Sequence, residues 1–468
     1  MRREDDGGVG GLPRVVFSGV GNGFNPWKNR VAGRRNAANR LDAELAAKIG
    51  SMPPTLENQT VNESFFQPLN DLATRSTRAR ACPEVSDEQY LLLGVQRVLE
   101  ACESGRAFLQ EHGPRQAQPP TLANYFASLH RARRGAVLQE VNQTLLATAN
   151  AQLPDRWADL SELARYEVFA ADGHWHQAAA HDARHDGVKM AVGHFYSLNL
   201  RTHTLRHLAT GEGLHEHDLH ALKRIKPRGL RQNVPTGRRV LMVYDKAGID
   251  FAFWKRCRQE CAVYFLSRAK ENQVLEWSES MPWDRNDPRN RGVKEDYRVR
   301  TRDGQELRLI CYVDAPTDQA YEFLTNEMDL PPGVLVELYR RRWEAEKVFA
   351  ELKNKLGQRK AWGSGLVAKE TQAHFAVLTH NLMLLYEAAL EKRHGVENQA
   401  EDERRAKRTT QAVALAARKR TQISSLLLPA RRATQRSVKF IRWLRQSQRD
   451  QLAEATAVLR LKLLYATL

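Results

Sequence analysis

The 468-residue sequence predicts an α/β fold with helical regions on both sides. Three observations carry that expectation. Two apolar runs of strand length, 166–172 and 239–245, each end in an aspartate. Helical periodicity dominates before residue 163 and after residue 390. Between them, 267–320 is polar and strand-like, with a hairpin signal.

Taken in order, residues 1–40 hold eight glycines and scattered arginines with little periodicity, which predicts a weakly ordered basic leader able to touch a polyanion. From 41 to 163, apolar residues recur at helical spacing, as in Tyr90-Leu91-Leu92-Leu93 with Val95, Val98 and Leu99, and in Tyr125-Phe126 with Leu129. Breaks fall at Pro53-Pro54 and Pro119-Pro120, so this part reads as an all-helical domain. Residues 166–172, 194–201 and 203–209 then read as strands and 218–225 as a short helix. Next come a buried strand at 239–245, a helix at 251–260 and a strand at 262–266. Three strands, a helix, a strand, a helix and a strand is the order of a ribonuclease-H-like sheet. Within it, 164–266 forms the first part of the core and 321–390 the second. Residues 267–320 read as a β-rich insert, with strands at 297–301 and 306–313 joined across Arg302-Asp303-Gly304. Residues 391–468 read as a basic helical region whose last segment, 438–464, carries enough Ile, Leu and Val to dock on another helix.

The most informative segment runs from Leu338 to Lys353. At about 100° per residue, Tyr339, Arg342, Glu346 and Lys353 fall within an arc of roughly 60°. Leu338, Phe349, Leu352 and Leu356 form a neighbouring core face. Arg340, Glu344, Lys347, Glu351 and Lys355 occupy an expected solvent face. Ordinary i,i+4 pairing scatters charge, whereas here a phenol, two cations and a carboxylate line one border of the core.

The spacing Tyr-x2-Arg-x3-Glu-x6-Lys, the flanking Leu338-Tyr339-Arg340-Arg341-Arg342-Trp343-Glu344 and the preceding Phe323-Leu324-Thr325-Asn326 resemble bacterial cut-and-paste DDE transposases of the insertion sequence 4 kind. The likeness covers only 323–353. It implies that Tyr339, Arg342 and Lys353 bind DNA near the cut end and that a β-rich insert separates the second and third acids. It also implies that double-stranded DNA, as element ends and target, is the partner. A homodimeric synaptic complex, hairpin ends and a bacterial cytoplasmic, nucleoid-associated setting follow from the same likeness. The helical domain at 41–163 is then expected to bind DNA.

Phosphodiester cleavage and joining need an activated oxygen nucleophile and a stabilised leaving oxygen in line with it. Two divalent cations roughly 4 Å apart supply both. Hard ions such as Mg2+ (or Mn2+) take oxygen ligands, and Asp172, Asp245 and Glu346 are the expected set: two rigid strand ends and one helix. Asp182 and Asp186 are rivals to Asp172, and Asp250 to Asp245, but these follow polar or loop-like residues. Arg342 suits a bidentate grip on phosphate and Lys353 a point charge. Trp343 can stack on a displaced base or simply pack.

A net charge of +17 and a pI near 9.8 favour a polyanionic partner over an acidic small molecule. Residues 391–468 contain 18 Lys and Arg against 7 Asp and Glu, concentrating that charge at one end; Arg404-Arg405, Lys407-Arg408, Arg418-Lys419-Arg420 and Arg431-Arg432 carry it. Five cysteines without framework spacing suit a reducing compartment, and Cys257 and Cys261 read as partly buried thiols rather than a metal pair. No segment reads as a signal peptide or a membrane span. Ten of the 15 histidines fall between His174 and His220. Without cysteines among them, they are expected to be polar surface and DNA-facing residues rather than zinc ligands. A metal-dependent nuclease without joining, and a transposase-derived regulator without catalysis, are the alternatives.

Overall fold

The runs that end in Asp172 and Asp245 form neighbouring parallel strands in the structure, a computed structural model. It describes residues 59–466 except 83, 117, 159, 186, 190–191, 212–215, 217, 232–233, 315–317 and 419–432. The leader expected over 1–40 and the break at Pro53-Pro54 lie outside the described residues. Strand β1 is Tyr166–His176 and pairs antiparallel with β4 (Val192–Asn199); a short ribbon of β2 (Arg184–His185) and β3 (Val188–Lys189) lies between them in sequence. Strand β5 (Leu205–Thr210) completes this edge. On its other side β1 pairs parallel with β6 (Arg239–Val243), which pairs parallel with β7 (Val263–Arg268).

Parallel neighbours need crossovers, and helices supply them. The chain leaves β5 through α6 (Asp218–Arg224) and α7 (Pro227–Arg231), and leaves β6 through α8 (Phe251–Cys261). Asp250 caps α8 by accepting the Phe253 N–H at 2.8 Å, and Ala262 ends it in the left-handed region at φ +51°.

The β-rich stretch extends this sheet rather than standing apart from it. Strands β8 (Leu275–Ser280), β9 (Val293–Thr301), β10 (Glu306–Asp314) and β11 (Gln319–Thr325) follow, and β11 pairs antiparallel with β7. The described sheet therefore runs β5-β4-β1-β6-β7-β11-β10-β9-β8. The turn at Arg302-Asp303-Gly304 joins β9 to β10 as expected, with Gly304 at φ +75°. Thr325 and Asn326 latch the β7–β11 seam: the Thr325 hydroxyl donates to the Phe265 carbonyl at 2.6 Å, and the Asn326 side-chain oxygen accepts the Phe265 N–H at 2.7 Å.

Helices α1 (Val61–Arg75), α2 (Asp87–Leu99), α3 (Gly105–His112), α4 (Leu122–Leu129) and α5 (Ala132–Gln152) precede the sheet. After it come α9 (Pro332–Arg341), α10 (Trp343–Asn354), α11 (Leu366–His394), α12 (Gln399–Arg418), α13 (Ala433–Arg449) and α14 (Glu454–Tyr465). The largely apolar stretch around 376–390, interrupted by Thr379, His380, Asn381 and Glu387, becomes the mostly buried middle of α11, which packs on α5 and α2. One hydrophobic cluster thus joins Tyr90 and Val98 of α2 to Phe375 and Leu378 of α11 and to Val168 and Leu241 of the sheet. Gly94 permits the approach, since a Cβ there would lie 2.1 Å from the Phe375 ring. The segment expected as one helix over 438–464 is two, α13 and α14, and α13 packs against α10.

Candidate active site

The parallel register of β1 and β6 sets Ala170 beside Val243. Two residues further along come Asp172 and Asp245. Asp245 follows the end of β6, as expected of a strand end, whereas Asp172 is not at a strand end: β1 runs on to His176, paired with β4, and Asp172 sits inside it opposite Tyr196. Asp172 accepts the Gly173 N–H at 2.8 Å, and Asp245 accepts the Ala247 N–H at 2.8 Å at the start of a short 3-10 turn. Ser267, on β7, fixes the Asp245 backbone by donating its hydroxyl to the Asp245 carbonyl at 2.8 Å.

Glu346 arrives from α10. The stripe expected on one uninterrupted helix is divided by a tight turn at Arg342, whose backbone stays helical at φ −50° and ψ −34°. Its N–H bonds to the Tyr339 carbonyl and its carbonyl accepts from Ala345, both three-residue steps that tighten the helix locally. The expected core face is correct: Leu338, Phe349, Leu352 and Leu356 are buried. The expected solvent face needs correction at two positions. Glu344 is buried against His203 and Arg341, and Glu351 is buried with its carboxylate 3.7 Å from His380 Nδ1. Glu344 stays ionised, at about 2, because His203 and Arg341 together outweigh the cost of its burial.

Arg342 is the centre of the cluster. Its Nη1 lies 3.0 Å from Asp172 Oδ2 and its Nη2 2.9 Å from Glu346 Oε1, so one guanidinium spans two of the expected acids. Asp245 belongs to the same electrostatic neighbourhood. The Asp172 carboxyl is pushed up to about 6, chiefly by burial; Arg342 and the Gly173 N–H oppose that shift, and the charges of Asp245 and Glu346 add to it. Tyr339 packs on Phe323, ring centres 5.0 Å apart, and Arg342 lies over its ring. Burial chiefly raises the Tyr339 phenol, with Asp245 adding to the rise and Arg342 and Arg268 opposing it.

The rivals are engaged elsewhere. Asp182 accepts the Ala179 N–H at 2.6 Å and pairs with Lys369 at 3.1 Å, and Asp250 caps α8 and pairs with Lys223. Asp186 lies outside the described residues. Lys353 is exposed, and its charge reaches His174. Trp343, at 60% exposure, does not pack into the core. Cys257 is buried and Cys261 half-buried, as expected of thiols, and both are free.

Among the described residues, no three His, Cys, Asp or Glu side chains stand close enough to hold one ion. The donor chemistry nonetheless fits a hard cation: the candidate side chains are all oxygen donors, and two of them are already gathered on a positive group, the Arg342 guanidinium.

The expectation that these histidines face solvent or DNA fails for the ones carried on the sheet. His174, His176, His194 and His203 are buried, and His174, His176, His194, His207 and His374 form a row with neighbouring ring centres 4.8–5.6 Å apart. Strand alternation explains it: 172, 174 and 176 share the sheet face that α10 and α11 cover. His181 and His220 are exposed, and His215 and His217 lie outside the described residues. Sequence reasoning missed Ser267 and the His203–Glu344 pair. Ser267, at the end of an apolar strand, was the one available signal; the pair joins distant segments and has none.

Residues 157–382 match the family described as the transposase DDE domain, a span that contains Asp172, Asp245, Glu346 and the whole described sheet from β1 to β11. Among solved structures, the chain is similar to the piggyBac transposase synaptic complex with hairpin DNA determined by cryo-EM, at 10% identity, with 86% of this chain and 81% of that chain covered and a TM-score of 0.34. No curated protein matches the sequence. No described helix is long and apolar enough to cross a membrane.

Proposed function

We propose that this chain is a DDE transposase of the insertion sequence 4 kind, built on a ribonuclease-H-like core, that cuts the ends of a mobile element and joins them to target DNA. The observation that supports it is that the charges of both Asp245 and Glu346 act on Asp172, all three lying inside the span that matches the transposase DDE domain. Asp172, Asp245 and Glu346 would hold divalent metal, Mg2+ or Mn2+. Such ions, held there, would supply activation of an attacking oxygen and stabilisation of a leaving one.

The chain's own residues do the rest. Arg342 keeps two acids from repelling each other until a DNA phosphate competes for its guanidinium. Tyr339, half-buried beside it, donates to the same backbone, and exposed Lys353 adds a point charge. Trp343, on the solvent side of Arg342, offers a ring for an unstacked base. Asp172 holds a proton below pH 6 and must shed it to act as a ligand. The helices of 59–163 and the basic helix α12 would contact DNA, and a homodimer would bring two ends together. A second reading, a DNA-binding regulator without catalysis, is favoured by the Arg342 bridge, which occupies two of the acids.

The test uses DNA carrying the sequences that flank the coding region in its native location. Mg2+-dependent cleaved and joined products support the transposase. Cleavage without joining points to a nuclease, and a mobility shift with no product points to the regulator.

A further inference from the structure

On the sheet face opposite Asp172, β1, β4 and β5 form the floor of a cavity of about 530 Å³, roofed by the end of α5. That volume is in the range of small-molecule pockets, about 300–1,000 Å³. The register places Ser197 of β4 beside Arg206 of β5, and Asn199 beside Phe169 of β1, so these side chains share the floor.

The charge balance of the cavity is uneven. Its two carboxylates are each matched: Asp155 by Arg201 at 2.5 Å, and Glu167 by Arg238 and by the Asn199 amide at 3.1 Å. Two guanidiniums have no such match. Arg231 donates to the main-chain carbonyls of Cys261, Pro235 and Arg238, each at 2.8 Å. Arg206 donates to the Gly229 carbonyl, and its Nε is buried without a partner. The Ser197 hydroxyl is likewise buried and unpartnered.

Arg206 is 9% exposed, and no carboxylate contributes to its electrostatics; burial lowers it from the ordinary arginine value to about 9. A guanidinium buried without a counter-charge destabilises a fold unless something compensates it. Both unpartnered donors line the same cavity, and neither belongs to the candidate active site.

We propose that this cavity is an anion site that takes a phosphoryl group, held by Arg206 and Arg231 with the Ser197 hydroxyl as a further donor. A phosphate offers acceptors to all three, and guanidinium is the side chain best matched to it in geometry. The group would come either from a small free phosphate compound or from the backbone of DNA passing over the face opposite the acids. The site stands whether or not the chain cuts DNA.

The experiment titrates inorganic phosphate and pyrophosphate into the full chain by calorimetry, with thermal melting in parallel, for the wild type, Arg206→Met and Arg238→Glu. Saturable binding to the wild type, a rise in its melting temperature, and at least about tenfold weaker binding to R206M are expected. Arg238 lies at the rim with its side chain 44% exposed, so R238E should fold and also bind more weakly, which keeps the test decisive if R206M does not fold. Absence of saturable binding to the wild type, or equal binding by the wild type and the folded variants, would overturn the proposal. In a second arm, a short DNA duplex is added to the phosphate-loaded protein. Displacement assigns the group to DNA, and undisturbed phosphate binding assigns it to a free compound.

Discussion

Arg342 and Asp172 determine how the candidate site responds to change. Folding raises the Asp172 carboxyl from 3.8 to about 6, so between those values the native state binds more protons than the unfolded chain. Its effect on stability is therefore a loss as pH rises through this window, complete above about pH 6. Metal loading runs the opposite way, since it needs the carboxylate: we expect Mg2+-dependent cleavage to rise up to about tenfold per pH unit below 6 and to level off above it, read from a single-turnover pH profile. Arg342→Ala should shift that inflection to higher pH, because the guanidinium lowers the Asp172 carboxyl, and should also weaken DNA binding. Glu346→Ala should reduce cleavage by at least about 10²-fold while leaving binding of element ends nearly intact in a mobility-shift assay. Retention of the wild-type rate would remove Glu346 from the site. At this scale much was legible: an apolar run closing on an acid drew attention to both aspartates, although only Asp245 follows a strand end and β1 continues past Asp172 to His176, and helical spacing marks Arg342 and Glu346. The Arg342 bridge itself was not, because whether a guanidinium faces phosphate or carboxylate depends on what else the fold brings within 3 Å.

The elements follow their local sequence wherever the signal is short-range. The hairpin at Gly304, the strand at β6 and the helix at α8 lie within a few residues of their expected bounds, since turn chemistry, apolar length and an Asp cap are local properties. Long-range pairing was less visible. Nothing in 267–320 says that β11 joins β7 to make the insert part of the core sheet; Thr325 and Asn326 do that by bonding to Phe265 some sixty residues earlier. Asn326→Ala would leave the buried Phe265 N–H without its acceptor, at a cost of about 1–3 kcal/mol. Urea unfolding checks it, and hydrogen exchange should show β7 and β11 losing protection together. The exposed side of the 338–356 segment was misjudged for a related reason: helical spacing identifies a face but not its neighbours, and α11 and the chain near His203 cover Glu351 and Glu344. At Gly94 the two helices meet too closely for a side chain. Gly94→Ala should destabilise by about 1–3 kcal/mol, and Phe375→Leu in the same chain should recover part of that loss in thermal melting.

Across the whole molecule, the face of the sheet that carries Asp172 also buries the histidine row. The clustering of histidines was plain in the sequence, but their burial was not, because a polar residue at strand spacing looks solvent-facing until the covering helices are in place. Burial keeps His176 neutral down to about 3 and holds His194 well below its ordinary 6.5, whereas both take up protons in the unfolded chain below that value. Their contribution is thus fully present above pH 6.5 and is lost as pH falls, at up to about 1.4 kcal/mol per pH unit for each. The urea midpoint should fall between pH 7 and 5, and His176→Phe should flatten that fall. The same face leads to the cluster on which the proposed chemistry depends. Its most direct test is a crystal structure of the full chain soaked in Mn2+, read by anomalous scattering. We expect manganese peaks shared by Asp172, Asp245 and Glu346, with the Arg342 guanidinium withdrawn from at least one carboxylate. An intact Asp172–Arg342–Glu346 bridge with manganese absent, or bound only elsewhere, would contradict the metal-dependent reading.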